Sequence, residues 1–107
     1  MSFTPEAKVK KKVVSLIKAK GAYYFFPVMN GYGRVGIPDI IVCYRGYFIA
    51  IECKAGNNKP TELQLKEIEA IRQAGGVSLV VNETNTEEVT KALESFDDAP
   101  VREAASP

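Results

Sequence analysis

The chain has 107 residues, 46% of them hydrophobic and 25% charged, a composition that allows one soluble globular domain with a modest core. Its two cysteines, Cys43 and Cys53, lack the paired spacing of a zinc ribbon or a disulfide scaffold, and there is no histidine, so a reduced protein is expected. The net charge of +1 excludes a uniformly basic nucleic-acid binder.

The charge is nevertheless unevenly distributed. Residues 1–20 carry six lysines against Glu6, and residues 21–60 carry Arg34, Arg45, Lys54 and Lys59 against Asp39 and Glu52, while the remainder is acidic. Such asymmetry suits one face turned toward phosphate and another toward solvent. The alternative is a solvated lysine-rich helix face with no partner. No apolar stretch is long enough to span a bilayer, and Met1 precedes a lysine-rich segment rather than a signal-peptide core, which predicts a cytoplasmic protein. A domain this small gains grip on an extended substrate by pairing with a copy of itself, so a homodimer is expected.

Thr4, Pro5 and Glu6 supply an N-cap, a first-turn proline and a first-turn acid, and Val9, Val13, Leu16 and Ile17 then recur at helical spacing. A helix is predicted from Pro5 to Lys20, ending at Gly21. Lys8, Lys11, Lys12 and Lys18 lie off its apolar stripe. Tyr23 to Met29 is aromatic and β-prone but broken by Pro27, and Asn30 to Gly36 is a glycine-rich loop carrying Tyr32 and Arg34, so an edge-like strand and a loop are expected. Ile37 to Tyr44 and Tyr47 to Ala55 flank Arg45-Gly46 as the two arms of a hairpin, although arginine is not the favoured partner of glycine in such a turn.

After Gly56 to Pro60, Thr61 caps a second helix whose Leu65, Ile68 and Ile71 are expected on one face as far as Gly75-Gly76. Val77 to Val81 reads as a buried strand, and Thr86 or a neighbour opens a third helix containing Val89, Ala92, Leu93 and Phe96. Residues 1–96 are expected to form the domain, with 97–107 as a flexible tail. The order predicts an α/β fold: a mixed central sheet flanked by helices, its last strand reached through a helical crossover.

The chemistry follows from the hairpin register. A two-residue turn at Arg45-Gly46 pairs Tyr44 with Tyr47, Val42 with Ile49, Ile40 with Ile51, and therefore Asp39 with Glu52. Opposed residues emerge on one face with Cβ atoms about 5 Å apart, and period-two alternation adds Lys54 to that face while leaving Cys53 only its backbone carbonyl near the site. Two opposed carboxylates among Ile40, Ile41, Ile49 and Ile51 are destabilising unless one is protonated or a cation lies between them. Oxygen donors without histidine fit Mg²⁺ or Mn²⁺, and such an ion beside Lys54 suits phosphoryl chemistry. Singly, each residue has a plainer reading: Asp39 as a turn residue after Pro38, Glu52 and Lys54 as the solvent face of an edge hairpin.

Gly36-Ile37-Pro38-Asp39, the strand spacer, Glu52-Cys53-Lys54 and the downstream Gln64 together resemble the PD-(D/E)XK nuclease signature, and specifically a stand-alone VRR-NUC domain of the phage type. The resemblance implies a restriction-endonuclease-like αβββαβ core and Mg²⁺- or Mn²⁺-dependent hydrolysis of DNA phosphodiesters. It implies Asp39 and Glu52 as metal ligands, the Cys53 carbonyl as a further ligand, Lys54 as the catalytic lysine and Gln64 as active-site support. Glu6 matches an acidic residue that reaches the metal-bound water shell, although a first-turn Glu is also favoured by the helix dipole.

Stand-alone domains of this family resemble Holliday-junction resolvases, which implies a homodimer acting on branched DNA, in the host cytoplasm if phage-encoded. Lys8, Lys11, Lys12, Tyr32, Arg34 and Lys59 are then candidates for contacting the DNA backbone without reading its sequence. The alternatives are a non-catalytic DNA-binding or assembly module on the nuclease fold, a sequence-specific restriction-type enzyme, and a structural domain without metal.

Overall fold

The computed structural model of the chain describes residues 3–28 and 35–103. Helix α1 (Pro5–Ala19) is followed by strands β1 (Tyr23–Phe25), β2 (Ile40–Tyr44) and β3 (Tyr47–Cys53), helix α2 (Glu62–Gln73), strand β4 (Val77–Val81) and helix α3 (Glu87–Glu94). The strands form one sheet in the order β1-β2-β3-β4. β1, β2 and β3 are antiparallel neighbours, and β4 runs parallel to β3, as a strand returning through a helical crossover must.

Each helix begins and ends where local chemistry dictates. The Thr4 hydroxyl accepts the Ala7 N–H at 3.1 Å, satisfying one of the free donors of the first turn, and Gly21 takes a φ of 70° just beyond α1. β1 stops before Pro27, which cannot donate to a ladder, so the strand is shorter than the aromatic run suggested. α3 begins after Thr86, whose side chain makes no cap bond.

The hairpin register is the one the sequence predicts: Tyr44 pairs with Tyr47, Val42 with Ile49, and Ile40 with Ile51. Its turn places both Arg45 (φ 55°) and Gly46 (φ 85°) in the left-handed region, the requirement of a two-residue hairpin loop. Arginine tolerates this because its side chain is anchored, donating from Nε to the Phe96 carbonyl at 2.8 Å and from Nη2 to the Ala99 carbonyl at 2.7 Å. Glycine is required beside it, since a Cβ at Gly46 would run into the Arg102 backbone.

One sheet face carries Ile40, Val42, Ile49, Ile51 and Cys53 into the core, against Val9, Val13 and Ile17 of α1 and Val89 and Leu93 of α3. Each such aliphatic side chain contributes about 1.5–3 kcal/mol when fully buried. The other face meets α2 only over β3 and β4, where Ile68 is buried. Leu65 does not join it and is 51% exposed. Three-residue steps drift by about 60° each around a helix of 3.6 residues per turn, so 65, 68 and 71 fan out, and the inward line runs through Gln64, Ile68 and Ile71 instead. Over β1 and β2 the same face stays open, with Tyr23 and Phe25 exposed, and Phe48 on neighbouring β3 is exposed as well.

The segment expected as a frayed tail from Asp97 is held against the hairpin turn as far as Arg102. Asp97 accepts from Lys20 at 2.8 Å and from the Tyr44 hydroxyl at 2.5 Å. The Tyr47 hydroxyl donates to the Pro100 carbonyl at 2.8 Å, and the Arg102 N–H donates to the Arg45 carbonyl at 2.8 Å. Phe96 stacks on Tyr47 with ring centroids 4.0 Å apart. Among the described residues, no helix is long and apolar enough to cross a membrane.

Candidate active site

The ladder ends at the Ile40–Ile51 pair, and Asp39, the residue before it, brings its carboxylate close enough for its charge to act on Glu52, at the end of the sheet away from the turn. Asp39 is fixed by accepting the Cys53 N–H on Oδ2 at 2.8 Å. Glu52 is 3% exposed and is enclosed by the first turn of α2. Its Oε2 accepts from Gln64 Nε2 at 2.6 Å and lies 3.6 Å from Lys54 Nζ. Its Oε1 is buried without a hydrogen-bond partner. Burial foremost, then the charge of Asp39, pushes Glu52 up to about 7, while Lys54 acts in the opposite direction. A buried carboxylate with one bare oxygen beside a second carboxylate is a site short of positive charge.

Gln64 is doubly held. The Thr61 hydroxyl accepts the Gln64 N–H at 3.2 Å, and the Thr61 N–H donates to Gln64 Oε1 at 2.8 Å, forming a reciprocal capping box. With its carbonyl oxygen committed to the cap, the amide can present only its NH₂ to Glu52. Gly36 completes the arrangement. It has a φ of 81°, and a Cβ there would lie 2.6 Å from the Leu63 carbonyl carbon and oxygen, so the loop carrying Asp39 is seated directly on the first turn of α2.

Asp39, Glu52, Lys54 and Gln64 are thus brought together. Cys53 turns its thiol into the core, where burial first, and then Asp39 and Glu52, push it up to about 12; only its backbone can face the site. Cys43 is exposed and Cys53 buried, both as free thiols. Glu6 is exposed in the first turn of α1, and its charge and that of Lys10 reach Cys53. Among the described residues, no three His, Cys, Asp or Glu side chains converge as a metal cage. Asp39 and Glu52 offer carboxylate oxygens, the donor type of hard divalent cations.

The basic candidates occupy two places. Lys8 and Lys12 line a cleft of about 410 Å³ with Pro5, Val9, Glu83 and Thr86, and Lys11 lies 5.0 Å from the centroid of the Phe3 ring. Lys59 instead lines a cavity shared with Lys54. Tyr32 and Arg34 lie outside the described residues. Lys10 was not singled out from the sequence. It is half-buried beside the Phe26 ring, 4.3 Å from its centroid, and only its helical spacing relative to Glu6 could have indicated it.

No family profile matches the chain. A protein of the Acyrthosiphon pisum secondary endosymbiont phage 1 named "Putative nuclease p44" is 31% identical over 96 residues, covering 87% of this chain and 99% of that protein. A solved structure described as a VRR-NUC domain is 30% identical, with a TM-score of 0.69, over 88% of this chain and 99% of its own. The chain belongs to the VRR-NUC family. A second VRR-NUC domain protein, 20% identical with a TM-score of 0.64 over 96% of this chain and 100% of its own, shares the fold. In this VRR-NUC domain Glu52 lies between Lys54 and Gln64 at one end of the sheet, with Asp39 beside it.

Proposed function

We propose that this VRR-NUC domain is a metal-dependent endodeoxyribonuclease that hydrolyses phosphodiester bonds at branched DNA such as Holliday junctions. The observation that carries the reading is the carboxylate pair of half-buried Asp39 and buried Glu52, with the unpartnered Glu52 Oε1 beside Lys54. Asp39 and Glu52 would hold Mg²⁺ or Mn²⁺, with the Cys53 carbonyl as a third donor and Glu6 acting through the ion's water shell. A bound ion of this kind polarises a phosphoryl oxygen and lowers the pKa of an attacking water.

The chain's own residues supply the remainder. Lys54, held 3.6 Å from Glu52, is placed to orient the attacking water or to neutralise charge that develops on the phosphoryl oxygens. Gln64 keeps Glu52 in one rotamer with Oε1 free. Lys8, Lys11, Lys12, Tyr32, Arg34 and Lys59 would contact the DNA backbone.

Pairing of two copies suits a substrate with two strands to cut. The open apolar sheet face at Tyr23, 69% exposed, together with Phe25 and Phe48, supports a homodimer surface there. The apolar stripe of α1 is already buried in the core, leaving that helix mainly its lysines. Two free thiols on opposite sides of the sheet support a reducing, cytoplasmic setting.

The test is cleavage of end-labelled four-way junction, flap and linear duplex DNA by the wild type and by Lys54→Ala, with Mg²⁺, with Mn²⁺ and with chelator. Metal-dependent cutting of the junction that the variant loses supports the proposal. Binding without cutting under every metal condition assigns the fold to a non-catalytic DNA-binding role.

A further inference from the structure

Beyond Lys54, toward β4, a cavity of about 300 Å³ is lined by Lys54, Asn58, Lys59, Pro60, Asn82 and Asn85, among others. Its wall is stapled by its own asparagines. Asn85 Oδ1 accepts the Asn82 N–H at 2.7 Å, and Asn82 Oδ1 accepts the Thr84 N–H at 2.8 Å. No carboxylate lines the cavity; Glu83, next along the chain, has both oxygens on the Gly56 N–H at 2.9 and 3.1 Å. Among the described residues, no hydrogen bond or ion pair engages the side chains of Asn58 or Lys59. A concavity with a free ammonium at Lys59, a second at Lys54 that it shares with Glu52, and a free amide is complementary to a group with several acceptor oxygens and negative charge.

Lys54 belongs to both this cavity and the carboxylate site. Whatever anion fills the cavity therefore lies within one side chain's reach of the reacting centre. We propose that the cavity binds the phosphate flanking the scissile one on the same DNA strand, with Lys59 as its main contact and Lys54 shared between the two phosphates. The inference rests on the nuclease reading above. It would fix the path of the cut strand across the sheet, running from Asp39, just before β2, over Glu52 to the end of β4.

The test uses a set of four-way junctions with one methylphosphonate at each position around the cut, binding being read in chelator and cutting in Mg²⁺ and Mn²⁺. The proteins are the wild type, Lys59→Ala, Lys59→Arg, and Lys91→Ala as a control for removing one remote positive charge. In the wild type, neutralising one flanking phosphate should weaken binding roughly tenfold. Lys59→Ala should lose sensitivity at that position and reduce the slope of log affinity against log salt by about 0.9, whereas Lys59→Arg and Lys91→Ala should keep the positional effect. Cutting by the wild type together with an unchanged Lys59→Ala profile overturns this inference alone. Absence of cutting by the wild type in either metal overturns the nuclease reading and this inference with it.

Discussion

Gln64 Nε2 donates to Glu52 Oε2 at 2.6 Å while Gln64 Oε1 accepts the Thr61 N–H at 2.8 Å. One side chain thus closes the N-terminus of α2 and fixes the carboxylate that faces Asp39. The two roles can be separated, because glutamate at the same position also completes a capping box but offers Glu52 no donor. Gln64→Glu keeps the cap but sets another carboxylate against buried Glu52, so it should melt below the wild type in chelator, and its turnover and Mn²⁺ affinity should fall about 10–100-fold, the range for groups that orient metal ligands. Thermal melts, Mn²⁺ titration by electron spin resonance and cleavage rates check this. Wild-type Mn²⁺ affinity in the variant would show that the bond to Glu52 only closes the helix.

Gly36 is the second contact between α2 and the carboxylate pair. Alanine there would meet the Leu63 backbone and would have to adopt a φ of 81°, a strain of about 1–3 kcal/mol before the steric clash is counted. Relief requires the 35–39 loop to lift, and Asp39 moves with it. Gly36→Ala is expected to remain folded at 10 °C but to lose cutting at that temperature by at least about tenfold. A variant that is destabilised but fully active at low temperature would show that Asp39 does not depend on this seat.

The pair also makes the metal-free protein sensitive to pH, with a sign that can be worked out. Glu52 has its ordinary value near 4.5 in the unfolded chain and is raised to about 7 in the fold, mainly by burial. The folded state therefore binds the proton more tightly, and stability is gained below the folded value and lost as pH rises from about 4.5 through 7. The amount is on the order of 3 kcal/mol. In chelator the melting temperature should fall between pH 5 and pH 8. Glu52→Gln should flatten that fall, and excess Mg²⁺ should restore the wild type at pH 8. A melting temperature that rises over this window in the wild type would contradict the assignment of Glu52 as a desolvated carboxylate.

The opposed carboxylates were legible in the sequence because a two-residue turn at Arg45-Gly46 leaves one register, and each step along it alternates faces. The helical crossover and the Val77–Val81 strand were legible from length and apolar runs. What was not legible is non-local. Thr61-x-x-Gln64 announces a cap, but nothing in those four residues says that the spare amide protons meet Glu52. Lys59 stood out in the sequence as a candidate contact to the DNA backbone, but the cavity it shares with Lys54 exists only once Asn82 and Asn85 fold the far wall. The tail from Asp97 has the composition of a frayed end; its anchors are Arg45, Tyr44, Tyr47 and Lys20, each about 50 or more residues earlier.

Those anchors yield the last prediction. Arg45 holds two main-chain carbonyls of the 96–99 segment at 2.8 and 2.7 Å, and hydrogen bonds from a charged donor contribute about 1.5–3 kcal/mol each when sheltered from water. These are only partly buried, so Arg45→Ala should cost about 2 kcal/mol in total, or roughly 8–16 °C in melting temperature for a domain of this length. Arg45→Gly removes the same bonds but also relieves the left-handed φ at the first turn position. It should therefore be less damaging than Arg45→Ala, which keeps a Cβ in that conformation. The turn is at the opposite end of β3 from Glu52, so both variants should cut at low temperature with the wild-type dependence on metal. If Arg45→Ala melts like the wild type, the tail contacts do not hold the hairpin. If Arg45→Gly is the worse of the two, backbone freedom outweighs strain at the turn.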